Sequence, residues 1–88
     1  MRQTIWRKPD LESQLGLSRT AIECLEAGGL WPPRISLSER AVGWLSAECS
    51  AVIAARAAGQ SPDEIRTLVR QLVAARVRAF NECVGRIA

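Results

Sequence analysis

Ser18, Arg19 and Thr20 follow directly on Gly16-Leu17. A hydroxyl, a guanidinium and a second hydroxyl placed just after a turn suit the capture of a phosphate at a helix start, where backbone N–H groups and the helix dipole favour an anion. Glu23 and Glu26 come one and two turns later, on what reads as the exposed side. Carboxylates there repel phosphates, although Glu23 can accept from the exocyclic amine of a cytosine. Arg34 and Arg40 bracket an alternating stretch further on, and arginine suits phosphate oxygens, guanine edges and minor grooves narrowed by A·T tracts. Arg2, Arg7 and Lys8 are further candidates for binding phosphate, beside the acidic Asp10 and Glu12. This chemistry is non-covalent recognition of a polyanion. There is no histidine and no convergent set of nucleophile, base and oxyanion donors, which argues against an enzyme.

Eighty-eight residues make one small domain, or a smaller one with an extension, and such a chain is only marginally stable on its own core. Burial against a partner is therefore expected. A composition 48% hydrophobic and 24% charged is that of a globular chain. Twelve basic against nine acidic residues leave +3, a mild bias toward polyanions. Cys24, Cys49 and Cys83 form no CxxC pair, so no zinc site or other cofactor is expected. Unpaired cysteines, with no secretory leader or membrane-spanning run, lead to the expectation of a cytoplasmic protein with no membrane contact.

Positioning these residues requires a definite order of elements. Gln3 to Arg7 reads as a short strand or an ordered arm. Pro9 suits the first turn of a helix that carries Leu11 and Leu15 on one face and stops at Gly16. Ser18 caps a second helix with Ala21, Ile22 and Leu25 inward and Arg19, Thr20, Glu23, Cys24 and Ala27 outward. Pro32-Pro33 excludes helix, Arg34 to Leu37 alternates, Ser38-Glu39 suits a turn, and Ala41 to Trp44 returns as a strand. That hairpin is a wing. Ser46 is placed to cap a third helix with Cys49, Val52, Ile53 and Ala57 inward, ending at Gly59. Ser61-Pro62-Asp63-Glu64 is a capping box opening a helix that meets no breaker before about Arg86. Trp31 and Trp44 are assigned to the core.

The stretch GLSRTAIECLEAGGLWPPRISLSERAVGWLSAECSAVIAAR resembles the AlpA family of small phage and mobile-element regulators. The winged helix of that family is similar to the MerR-type DNA-binding domain and to phage excisionases. The wing, WPPRISLSERAVGW, carries the most specific part: Trp31 is the aromatic before proline, and Arg40 to Trp44 form the RAVGW signature. The chain departs from the family at Glu23 and Cys24, where an aromatic and a basic residue are usual, and at Ser38, which replaces the wing-tip glycine.

The fold class expected is mainly α with a small β-hairpin: a winged helix-turn-helix over 1–59 and a long C-terminal helix over 61–88. The resemblance implies a sequence-preferring protein of a phage or integrative element that binds double-stranded DNA. It would act as an excisionase (recombination directionality factor), a transcriptional regulator, or both, with an integrase as a further partner. Ser18, Arg19, Thr20, Glu23, Arg34 and Arg40 are the expected DNA-binding residues. The last helix is apolar over roughly half its circumference, broad for a helix resting on so small a domain. Arg76 interrupts the stripe. Ile65 to Val73 then suits the winged domain, while Val77, Phe80, Val84 and Ile87 suit self-association into a homo-oligomer on DNA. The alternatives are a small terminase-like subunit for DNA packaging and a pure protein-interaction module.

Overall fold

The computed structural model describes residues 4–87, with side-chain surroundings through Arg86. The expectations for Arg2, for Gln3 and for the side chain of Ile87 lie outside the described residues. Within them the order is β1 (Ile5–Trp6), α1 (Lys8–Leu15), α2 (Arg19–Ala27), β2 (Ile35–Ser38), β3 (Ala41–Leu45), α3 (Ser46–Ala57) and α4 (Pro62–Ile87). The molecule is mainly helical with a small antiparallel sheet, as the residue pattern implies.

Local chemistry sets the helix boundaries. Pro9 occupies the first turn of α1, where its missing N–H leaves no bond unmade. Gly16 ends α1 in the left-handed conformation (φ 66°), which a side chain would strain, and its N–H donates to the Glu12 carbonyl at 2.8 Å. Ser18 then caps α2, its hydroxyl accepting from Ala21 N–H. At α4 the Ser61 hydroxyl accepts from Glu64 N–H while Ser61 N–H donates to the Glu64 carboxylate. That bond holds the Glu64 carboxyl below its ordinary pKa.

Four features of the wing and α3 depart from the expected pattern, beginning with the wing. It is a three-stranded sheet of order β1-β3-β2, because β1 pairs antiparallel with β3 and sets Trp6 opposite Trp44. The turn falls at Glu39-Arg40 rather than Ser38-Glu39, since a bulge between Ser36 and Ser38 places one extra residue on β2. Ser46 is not a cap. It is the first residue of α3, with Leu45 at the N-cap, and its hydroxyl accepts from Thr4 N–H at 2.8 Å. Ser46 N–H in turn donates to the Thr4 carbonyl, so the chain entering β1 ties down the start of α3. Ala57, expected inward, is exposed in the last turn of that helix.

The core comprises Leu11, Ile22, Trp31, Trp44, Cys49, Val52, Ile65 and Val69, drawn from all four helices, β3 and the loop before β2. Neither the Trp31 nor the Trp44 indole N–H finds an acceptor among the described residues. Burying an indole of roughly 200 Å² contributes about 5 kcal/mol, against about 1–3 kcal/mol for a donor left unbonded, so packing wins. Burial, and secondarily the Glu48 charge, pushes the Cys49 thiol up to about 12.

The first half of α4 packs through Ile65 and Val69, with Leu68 and Leu72 beside them. Arg76 then reaches back across the fold. Its Nε donates to the buried Glu48 carboxylate at 2.7 Å, and one terminal nitrogen donates to the Pro33 carbonyl at 2.9 Å. Glu48 holds the Arg76 guanidinium above its ordinary pKa through that hydrogen bond. Beyond this clamp α4 leaves the domain, and Val77 and Phe80 are 60% and 66% exposed.

Urea melts measure how much these two features matter. Trp44→Ala should cost about 3–5 kcal/mol, the range for a large buried aromatic. Arg76→Ala should cost about 3 kcal/mol by leaving Glu48 buried without its partner, and Glu48→Ala should restore part of that loss in the double variant. A Trp44 variant that melts like the parent would remove Trp44 from the core.

Candidate nucleic-acid interface

Helices α1 and α2, joined by Gly16-Leu17-Ser18, form a helix-turn-helix, and the β2–β3 hairpin stands beside it as the wing. Ile22 anchors α2 in the core, with Ala21 and Leu25 half-buried next to it. Arg19, Thr20, Glu23, Cys24 and Ala27 all face solvent, as the helical wheel requires. The Ser18 cap stands at the open end of this face. Such an end offers backbone N–H groups and positive potential to a phosphate.

Arg19 and Glu23 form one exposed i,i+4 pair, with Nε–Oε1 at 3.2 Å. Water screens this pair, and an incoming phosphate or base can compete for either member.

Arg34 and Glu26 are arranged differently. Glu26, expected on the exposed side of α2, has a side chain only 14% exposed. It accepts from Arg34 backbone N–H at 2.6 Å and from the Arg34 guanidinium at 2.7 and 3.1 Å. The Arg34 guanidinium also stacks over the Trp44 ring, 5.2 Å from its centroid. The hydrogen bond to Glu26 holds the Arg34 pKa above its ordinary value. The pair therefore fixes the wing root to α2, and Arg34 reaches the surface only through its remaining exposed edge.

Arg40 sits in the wing turn, exposed to solvent. A shallow depression lined by Lys8, Leu11, Glu12, Arg19, Ile22, Glu23, Arg34 and Trp44 connects the faces of α1, α2 and the wing root. Five of the six expected DNA-binding residues, Ser18, Arg19, Thr20, Glu23 and Arg34, thus belong to α2 and its immediate border, whereas Arg40 stands apart on the wing. Glu26, expected to be exposed, and Glu48, which sequence reasoning missed, are the internal partners of Arg34 and Arg76. A signal exists for the second pair, because Arg76 breaks an otherwise apolar stripe.

Among the described residues, no group of His, Cys, Asp and Glu could hold a metal ion, and no helix is long and apolar enough to cross a membrane. All three cysteines are free, with Cys24 and Cys83 exposed and Cys49 buried.

Residues 4–57, from β1 to the last turn of α3, match the family model described as the prophage CP4-57 regulatory protein (AlpA). The chain is also similar to an uncharacterized protein, ORF88, of Enterobacteria phage P4, at 41% identity over 54 residues. That alignment spans 61% of this chain and 61% of the relative.

The two arginine pairs should separate in stability. Arg34→Ala removes the partner of a largely buried carboxylate and should cost about 2 kcal/mol. Arg19→Ala, at an exposed pair, should change stability by less than about 0.5 kcal/mol. Equal midpoints in urea for the two variants would undo the structural role given to Arg34.

Proposed function

The chain belongs to the AlpA family of prophage regulatory proteins, and from that premise we propose that it is a non-enzymatic regulator that binds double-stranded DNA. One observation carries the reading: within the matched segment, a capped and exposed α2 stands beside a wing, with hydroxyl and guanidinium groups at its open end. In this reading residues 1–59 engage DNA. Ser18, Arg19 and Thr20 bring the start of α2 to the backbone at a major groove, and Glu23 faces the bases. Arg34 borders the groove and Arg40 extends along the flanking strand. The regulatory description of the family favours this role over a DNA-packaging subunit or a pure protein-interaction module.

Base readout by α2 is modest, because its one exposed cation is paired with Glu23. Shape and deformability of the site then carry part of the specificity. That suits an excisionase working with an integrase, or a transcriptional regulator, provided several copies act together. The helix over 61–88 supplies the link in this reading. Val77, Phe80 and Val84 lie exposed along its projecting end, beyond the Arg76 clamp, where a second copy can cover them.

Footprinting over the attachment region and promoters of the host element tests the assignment. Val77→Asp with Phe80→Asp should leave the affinity for an isolated site unchanged, since both side chains are mostly exposed. It should abolish cooperative occupancy of adjacent sites and excision in a recombination assay. Undiminished cooperativity in the variant would assign the stripe no part in assembly.

A further inference from the structure

A cluster of positive charge on the described surface lies off α2. Arg7, Lys8, Pro9, Arg40 and Val42 line one cleft, where the start of α1 meets the outer edge of the wing. Two segments more than thirty residues apart in sequence bring three cations together there. Arg7 Nε donates to the Val42 carbonyl at 2.9 Å. This bond holds the guanidinium against the strand, and its terminal N–H groups have no partner among the described residues. Lys8 and Arg40 have no side-chain hydrogen bond or ion pair among the described residues either. The nearby carboxylate of Asp10 is engaged in accepting from Arg7 backbone N–H at 3.0 Å. Glu39, next to Arg40 in the turn, is exposed and forms no ion pair with it. Pro9 in the first turn of α1 adds the positive end of that helix to the same wall.

The other cations near the interface are committed differently. Arg19 is paired with Glu23, and Arg34 is held by Glu26 and Trp44. Lys8 borders both the cleft and the depression that leads to α2. A sugar–phosphate strand running from the open end of α2 toward the wing would cross it.

We propose that Arg7, Lys8 and Arg40 form a seat for the phosphodiester backbone of duplex DNA, and that this seat supplies more of the affinity than the charges of α2. The inference rests on the DNA-binding reading above and adds a location to it. Arg40 then works on the backbone with Arg7 and Lys8, and not by insertion into a minor groove. A guanidinium already oriented by a backbone carbonyl loses little freedom on binding, which favours a bidentate grip on phosphate oxygens.

The test measures affinity for a short mixed-sequence duplex as a function of salt. Removing one cation that neutralises a phosphate should lower the slope of log affinity against log salt by roughly 0.9. Arg7→Gln with Lys8→Gln and Arg40→Gln should therefore flatten the slope by roughly 2–3. Arg7 also bonds to the wing, so Lys8→Gln with Arg40→Gln alone guards against misfolding and should flatten it by roughly 2. Arg56→Gln with Arg70→Gln removes the same charge from exposed positions on α3 and α4, and should leave the slope near that of the parent. A Lys8/Arg40 variant with the parental slope, or one matched by the Arg56/Arg70 variant, would overturn the seat. A parent protein that binds no duplex at any salt would overturn the DNA-binding reading itself.

Discussion

Five residues, Ala41 to Leu45, must satisfy a strand on each side and a helical core on one face. β3 is the middle strand, so its two edges are bonded to β1 and β2 and cannot shift independently. Trp44 points into the core, and a slip of one residue would turn it to solvent and bring Gly43 inward. Gly43 leaves no room for a side chain without a shift of its neighbours: a Cβ there would lie 2.5 Å from Ile5 Cγ2 and 3.2 Å from the Trp6 carbonyl. The close approach of β1 depends on that missing atom. Through β1 the constraint reaches Thr4, which bonds to Ser46 and sets the start of α3. Through Trp44 it reaches Arg34, and so the angle between wing and α2. A register defined once in the sheet is thus transmitted to the wing, to α2 and to α3.

Carboxylates sort the cations by task. Glu26 and Glu48 are largely shielded from water, and each holds an arginine in a short, directional hydrogen bond. These pairs act as joints, one between α2 and the wing and one between α3 and α4. Their energetic weight lies in what would be left behind if one partner were removed, since a buried charge without a counter-ion is costly. The exposed Arg19–Glu23 pair has no such constraint and can open at little cost. A modest net charge of +3 therefore conceals an uneven surface, in which some arginines are structural and others are free to meet an anion.

What can be read from sequence is what local chemistry determines. Gly16 and Ser18 mark the turn and cap of the helix-turn-helix, Ser61 and Glu64 the capping box, and Trp31 and Trp44 the core, all from residue type and close spacing. The wing is recognisable from alternation after Pro32-Pro33, and a short strand or arm is expected over Gln3 to Arg7, yet its pairing with β3 is not legible, because two residues at Ile5–Trp6 are too few to show a period or a register. Ser46 is a good cap by type, and only the arrival of Thr4 from the other end of the domain redirects its hydroxyl. Glu26 and Arg34 are eight positions apart, and Glu48 and Arg76 twenty-eight, so no helical wheel pairs them. Within the candidate interface, the exposed face of α2 is legible from the wheel. The internal commitment of Arg34 is not, because it depends on how two elements cross.

The three cysteines end in three different settings, and this makes the molecule selectively addressable. Thiol reagents attack thiolates that they can reach. Cys49 meets neither condition, being sealed in the core with its thiol pushed up to about 12. Cys24 and Cys83 are both exposed, one on the outer face of α2 and the other on the projecting end of α4. A fluorophore or spin label can therefore be attached at either position, by replacing the other of those two cysteines with serine and leaving the buried one in place. The native sequence already holds a reporter position on the exposed face of α2 and another on the helix that leaves the domain. Distances between the two, or between copies of either one, become spectroscopic observables without introducing a new cysteine.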